Sequence, residues 1–310
     1  MGTHFRSSFR SSDKAHDIAY YVVFPAGEVK GVVQIAHGMA EYFERYNGFA
    51  DFLADNGYVV CGEDHLGHGS SVSSEEDYGY FSPKEGWQNV VRDMYKLTKI
   101  MKKNYPEVPY FIFGHSMGSM LARAYVTKFG RAVDGAVFCG TSGGQGGTEG
   151  LLVALEAAKL IKGERHKSKL FDKLAFGAYN NRIKERSSDF DWLSRDTANV
   201  AKYCSDRRCG FLFSLNGFEN LAKVLWYVSS DKWYSTYPKT LPTYLIAGAE
   251  DPVGNYGKGV LKVFNGLNLN DCNVEMKIYK DARHELLNEL NRQEVFQDVL
   301  EFFESVGEKA

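Results

Sequence analysis

Between residues 110 and 125 the apolar run Tyr110-Phe111-Ile112-Phe113 gives way to Gly114-His115-Ser116-Met117-Gly118, and then to Ser119-Met120-Leu121-Ala122-Arg123-Ala124-Tyr125. The first run reads as a strand and the last as the start of a helix. A serine held between two glycines at such a corner permits few folds. The turn is too tight for side chains at Gly114 and Gly118, and it lifts the Ser116 hydroxyl out of the sheet, where a carbonyl group can reach it. The five-residue pattern alone recurs by chance. The strand before it and the helix after it make it specific.

The rest of the chain supplies the sheet that this corner needs. Strands are expected over residues 16–24, 31–36, 58–61 and 135–139, and helices over 46–56 and 87–102, the latter with Val90, Val91, Met94, Leu97 and Met101 on one stripe. Strands alternating with helices imply an α/β fold, a mostly parallel central sheet with helices on both faces. Reactive loops then lie at the carboxyl ends of the strands. The rhythm breaks after Cys139, where residues 140–150 hold six glycines. No Gly-Lys-Ser/Thr follows to make a phosphate loop, and the segment reads as a hinge. Residues 151–237 read as helices and loops, with Leu151, Leu152, Leu155, Ala158 and Ile161 on one apolar face. An aromatic-rich stretch runs from Phe211 to Tyr227. Strands return at 243–248 and 274–279, and a final helix is expected over 291–304. The expected organisation is a core in two parts, residues 1–142 and 238–310, around an inserted helical cap (lid) at 143–237.

A serine hydroxyl is a poor nucleophile without a base in hydrogen-bond reach. His284 follows the strand ending at Tyr279, and Asp251 follows the strand ending near Gly248. Asp251 would hold the imidazole in one tautomer and stabilise the imidazolium. The chain order Ser116, Asp251, His284, each after its own strand, is that of the α/β-hydrolase fold. An oxyanion hole needs two backbone N–H groups. Met117, just after the serine, and Met39, in the loop after the strand ending at Ala36, are the candidates. Glu250 competes with Asp251 for the acid role. His115 is expected to pack beneath the elbow, and His37 to bond backbone and shape the oxyanion loop. The segment Asp64-His65-Leu66-Gly67-His68-Gly69-Ser70-Ser71 reads as a loop locked by imidazole hydrogen bonds. No carboxylate or cysteine elsewhere is placed to complete a metal site there. Cys204 and Cys209 likewise lack a second ligand pair. Neither a metal nor an organic cofactor is expected.

Composition bounds the partners. A net charge of −2 over 310 residues gives nucleic acid no basic face to bind. No apolar run approaches the ~20 residues of a membrane span, and the first residues lack a signal-peptide core. Five scattered cysteines read as free thiols in a reducing, cytoplasmic setting.

Together these residues resemble the monoacylglycerol lipase and lysophospholipase group of the α/β-hydrolases. The resemblance rests on His37-Gly38-Met39 with Glu41, Arg45 and Tyr46; on Asp64-His65-Leu66-Gly67-His68-Gly69; on the Ser116 elbow; on Glu250-Asp251-Pro252-Val253; and on Arg283-His284-Glu285 with Leu287-Asn288-Glu289. It runs from His37 to the C-terminus, loosely in the cap. It implies a serine carboxylic-ester hydrolase with Ser116, Asp251 and His284 as nucleophile, acid and base, and the N–H groups of Met39 and Met117 as oxyanion donors. It implies a single-chain lipid ester as substrate, a monoacylglycerol or a lysophospholipid. A small soluble carboxylester, an amide or peptide N-terminus, and a non-catalytic binding role are the alternatives. Three positions depart from the group: Ala40 and Tyr42 stand where glycine and histidine are usual, and Ser119 where a second glycine often follows the elbow. The apolar face beginning at Leu151, read without a basic cluster beside it, offers a surface for transient membrane contact.

Overall fold

In a computed structural model, described over residues 2–144 and 146–309, eight strands form one sheet in the order β1-β2-β4-β3-β5-β6-β7-β8. They are β1 (Thr3–Arg10), β2 (Asp17–Phe24), β3 (Gly31–Ala36), β4 (Tyr58–Glu63), β5 (Tyr110–His115), β6 (Gly135–Cys139), β7 (Thr243–Gly248) and β8 (Val274–Tyr279). From β4 through β3 to β8 every pairing is parallel, whereas β1 and β2 join antiparallel at one edge. The parallel strands β3 to β7 are buried along their whole length, as their continuous apolar runs require.

Helices cover both faces. α1 (Asn47–Asp55) and α10 (Arg292–Gly307) pack on one side, where Phe49 and Phe296 lie 5.0 Å apart. α2 (Gly86–Asn104), α3 (Met117–Phe129) and α9 (Lys258–Asn268) belong to the core on the other. The expected helix at 46–56 begins instead with a 3₁₀ turn over Phe43–Tyr46. Strand β1 was not anticipated. Its sequence, Thr-His-Phe-Arg-Ser-Ser-Phe-Arg, is mostly polar and exposed, and only pairing with β2 makes it a strand.

Between β6 and β7 the chain is helical: α4 (Thr148–Lys162), α5 (Lys169–Phe176), α6 (Thr197–Ser205), α7 (Leu215–Val228) and α8 (Asp231–Thr236). Of the anticipated apolar face of α4, Leu152, Leu155 and Ala158 pack on the core, whereas Ile161 at its end is 83% exposed. Val153 and Leu160, off that stripe, are 69% and 89% exposed. Parts of the glycine-rich connection are packing devices. Gly140 lies at φ 60°, and a Cβ there would sit 3.0 Å from the His284 ring.

Candidate active site

The elbow has the expected form. Ser116 sits between β5 and α3 at φ 54°, ψ −119°, a conformation that L-residues avoid and that functional corners retain. A Cβ on Gly118 would fall 2.1 Å from the Ala36 carbonyl oxygen, and one on Gly114 would fall 2.5 Å from that of Gly118. Those contacts exclude any side chain at either place. The Ser119 hydroxyl closes the first turn by donating to the Ser116 carbonyl at 2.5 Å.

His284 and Asp251 meet at the same corner. Ser116 N–H donates to the Cys139 carbonyl, and the next residue, Gly140, abuts the His284 ring. The His284 ring also lies 4.8 Å from His115 and 5.1 Å from Trp192. His284 Nδ1 is 2.9 Å from Asp251 Oδ1, and both side chains are fully buried. Beside an ionised carboxylate Nδ1 carries the proton, which leaves Nε2 free to accept one. Val253 N–H donates to the same Asp251 oxygen at 2.8 Å and fixes the carboxylate. Glu250, the competing acid, is exposed.

The loop after β3 is held from below. His37 Nε2 accepts from the His65 N–H at 2.9 Å, so its Nδ1–H donates to the Gly38 carbonyl at 2.7 Å. This is the backbone role expected of His37. Burial, first, keeps its pKa well below the ordinary value, so it stays neutral. Glu41 accepts from Gly38 N–H at 2.6 Å and from the Tyr46 hydroxyl at 2.7 Å. His115 does pack beneath the elbow, with Nδ1 2.9 Å from Tyr46 and 3.2 Å from Glu41. Burial alone would lower its pKa, yet the hydrogen bond and charge of Glu41 raise it. Among the described residues, the N–H groups of Met39 and Met117 donate to no protein acceptor.

The segment 64–71 is locked in part by imidazoles, as expected: His65 N–H donates to His37 Nε2, and His68 Nδ1 lies 3.2 Å from the Leu66 carbonyl. The ring nitrogens of His65 make no hydrogen bond, and the Asp64 carboxylate adds a second lock by accepting from Ser70 N–H, Phe43 N–H and the Tyr21 hydroxyl. Beneath it, burial pushes the Glu63 carboxyl up to about 8. Among the described residues no group of three or more metal-ligating side chains gathers.

Two arginines at the site were assigned no role from the sequence. Arg45 donates to Glu41 and, in a two-pronged pair at 2.7 Å each, to Glu285, so it joins the loop after β3 to the His284 loop. Arg123, nearly two turns into α3, is buried without a carboxylate. It donates to Ser142 and Val228 carbonyls and lies 4.3 Å over Trp233, tying the elbow helix to both ends of the inserted segment. Burial lowers its pKa to about 10.

The sequence pattern of the serine aminopeptidase S33 hydrolases matches residues 27–291. The chain belongs to that family. It is accordingly a serine hydrolase of the α/β-hydrolase fold, similar along its length to lipases and esterases. A monoacylglycerol lipase of Mycolicibacterium smegmatis is 28% identical over 286 residues, 91% of each protein. A thermostable carboxyl esterase of Bacillus coagulans, solved with glycerol, superposes with a TM-score of 0.92 at 30% identity, covering 99% of both chains. A soluble variant of the Saccharomyces cerevisiae monoglyceride lipase, at 18% identity and a TM-score of 0.76 over 99% of this chain and 96% of its own, shares the fold.

Proposed function

We propose that this S33 hydrolase cleaves a single-chain lipid ester, a monoacylglycerol or lysophospholipid, through an acyl-enzyme on Ser116. The observation that carries the reading is the buried Asp251–His284 hydrogen bond at the corner that presents Ser116. His284 Nε2 takes the Ser116 proton as the hydroxyl attacks the ester carbonyl. The N–H groups of Met39 and Met117 receive the negative charge of the tetrahedral intermediate. The alcohol leaves with the proton from His284, and water, deprotonated by the same imidazole, releases the fatty acid. Residues 143–237 act as the cap over this pocket.

The lipid preference draws support from the relatives named as monoacylglycerol lipases. A lipid surface as partner draws support from the exposed apolar side of α4 and α5. Leu160, Ile161, Leu170 and Leu174 stand out from it, and Lys162, Lys169 and Lys173 have no ion pair among the described residues. Contrary to the sequence expectation, there is a basic cluster: residues 159–186 hold nine Lys and Arg against three acids. Such a face suits an anionic interface. The esterase name of the Bacillus relative favours a second reading, a short soluble ester.

Two measurements decide. A fluorophosphonate probe should label the parent protein and leave Ser116→Ala unlabelled; an unlabelled parent would leave only a binding role. Turnover of acyl glycerol esters should then rise with chain length, whereas a maximum at acetate selects the short-ester reading. Sedimentation with anionic vesicles tests the surface.

A further inference from the structure

The inserted helical segment reaches the oxyanion loop through contacts that none of the motifs contains. The Ala40 carbonyl accepts two hydrogen bonds from it, from the Tyr203 hydroxyl at 3.1 Å and from Gly210 N–H at 3.0 Å. Two residues on, the Tyr42 hydroxyl donates to Asp206 at 2.5 Å and accepts from Arg208 at 2.7 Å, while the Arg208 guanidinium lies 3.8 Å over the Tyr42 ring. The Tyr203 ring covers Arg45 at 4.7 Å, where Arg45 bridges Glu41 and Glu285.

A segment that only covered the pocket would leave this loop to the core. Instead Ala40 lies at φ 52°, a left-handed conformation that an alanine adopts only when its surroundings impose it. Ala40 immediately follows Met39, whose N–H is the proposed oxyanion donor. Misplacing such a donor costs rate, because its value depends on a fixed aim at the developing charge.

We propose that Tyr203, seconded by Tyr42, is a positioning residue for the hydrolytic step: by anchoring the Ala40 carbonyl it fixes the aim of the Met39 N–H. The inference rests on the acyl-enzyme reading above. It makes the stretch from Tyr203 to Gly210 a working part of the site, beyond its place in the cap. It also gives a use to Tyr42, one of the three positions that depart from the lipase pattern.

Tyr203→Phe keeps the ring over Arg45 and removes the hydroxyl. On a short water-soluble aryl ester, which needs no acyl tunnel, kcat should fall about fivefold to tenfold, the worth of one hydrogen bond, with KM within about twofold. Affinity for a trifluoromethyl ketone, whose adduct places an oxyanion in the same hole, should fall by the same factor. Tyr42→Phe should do the same to a smaller degree, about threefold, and stands in if the first variant does not fold. Amide hydrogen exchange at residues 38–42 should quicken in both variants. The proposal is overturned if kcat stays within twofold in both, if kcat falls while ketone affinity holds, or if only KM for long acyl chains changes. A parent that neither turns over esters nor takes a fluorophosphonate would sink the functional reading, and the exchange of residues 38–42 would still decide whether Tyr203 holds the loop.

Discussion

The inserted segment has two parts of opposite character. Residues 191–210 are fastened to the loops around residues 40 and 284 largely through backbone groups: Glu285 N–H donates to the Leu193 carbonyl at 2.7 Å, the Arg283 guanidinium donates to the carbonyls of Asp191 and Ser194, and Gly210 N–H donates to the Ala40 carbonyl. Residues 148–176 keep few anchors, such as Leu155 and Phe171, and turn Leu160, Ile161, Leu170 and Leu174 outward. The first part has its polar groups satisfied against the site and must hold still for the chemistry to be aimed. The second leaves apolar area in water, a state that burial against lipid or a partner would relieve. One insertion thus combines a fixed wall with an exposed apolar face.

The comparison can be broken at several points. The largest effect is expected at the hub of the fixed part. Arg45→Met leaves Glu41 and Glu285 buried without their cation and should cost about 3–5 kcal/mol in urea unfolding; a loss below 1 kcal/mol would mean that the wall is not held this way. Next comes the anchor of the outward part. Leu155→Ala should cost about 2–4 kcal/mol as a cavity opens.

Glu63 sharpens the contrast through pH. It lies fully buried in the fixed core, with Gln34 Nε2 3.4 Å from its Oε2 and His65 Nδ1 3.5 Å from its Oε1. Burial holds it protonated up to about 8, while the unfolded chain titrates near 4.5. Between those values the native state binds more protons than the unfolded one, so stability falls as pH rises through that window and levels off above it. Glu63→Gln removes the penalty. Its lead over the parent should widen by about 2 kcal/mol between pH 5 and about pH 6.5 in urea titrations; a constant lead would contradict the assignment. The smallest effect on stability belongs to the outward face. Leu160→Ser with Ile161→Ser should shift unfolding by less than about 0.5 kcal/mol per site and leave short-ester turnover unchanged. Yet it should cut vesicle sedimentation about tenfold or more, since each side chain carries roughly 1.5–3 kcal/mol of burial.

Much of the site was legible before any coordinates. Ser116, Asp251 and His284 each follow a strand that announces itself by an unbroken apolar run, and the glycines of the elbow mark a close approach that the structure places against Ala36. β1 was not legible, because Thr3–Arg10 carries almost no apolar signal and becomes a strand through its partner. The stripe on α4 was legible as a stripe, but periodicity states that apolar residues share a side, not which way that side faces. The imidazole locks of 64–71 were legible, but not the share taken by the Asp64 carboxylate, since local sequence cannot tell which polar group of a buried loop finds which partner.

The amino-acid sequence by itself determined the alternation that builds the sheet, the corner at Ser116 and the chain order of the three side chains, because those features are local and periodic. Only the tertiary structure decided that Arg45 bridges two loops 240 residues apart in sequence, that Tyr203 grips the Ala40 carbonyl, and that Leu160, Ile161, Leu170 and Leu174 face outward. Those contacts are made to backbone atoms and between distant chain segments, which every residue type can supply and no spacing encodes.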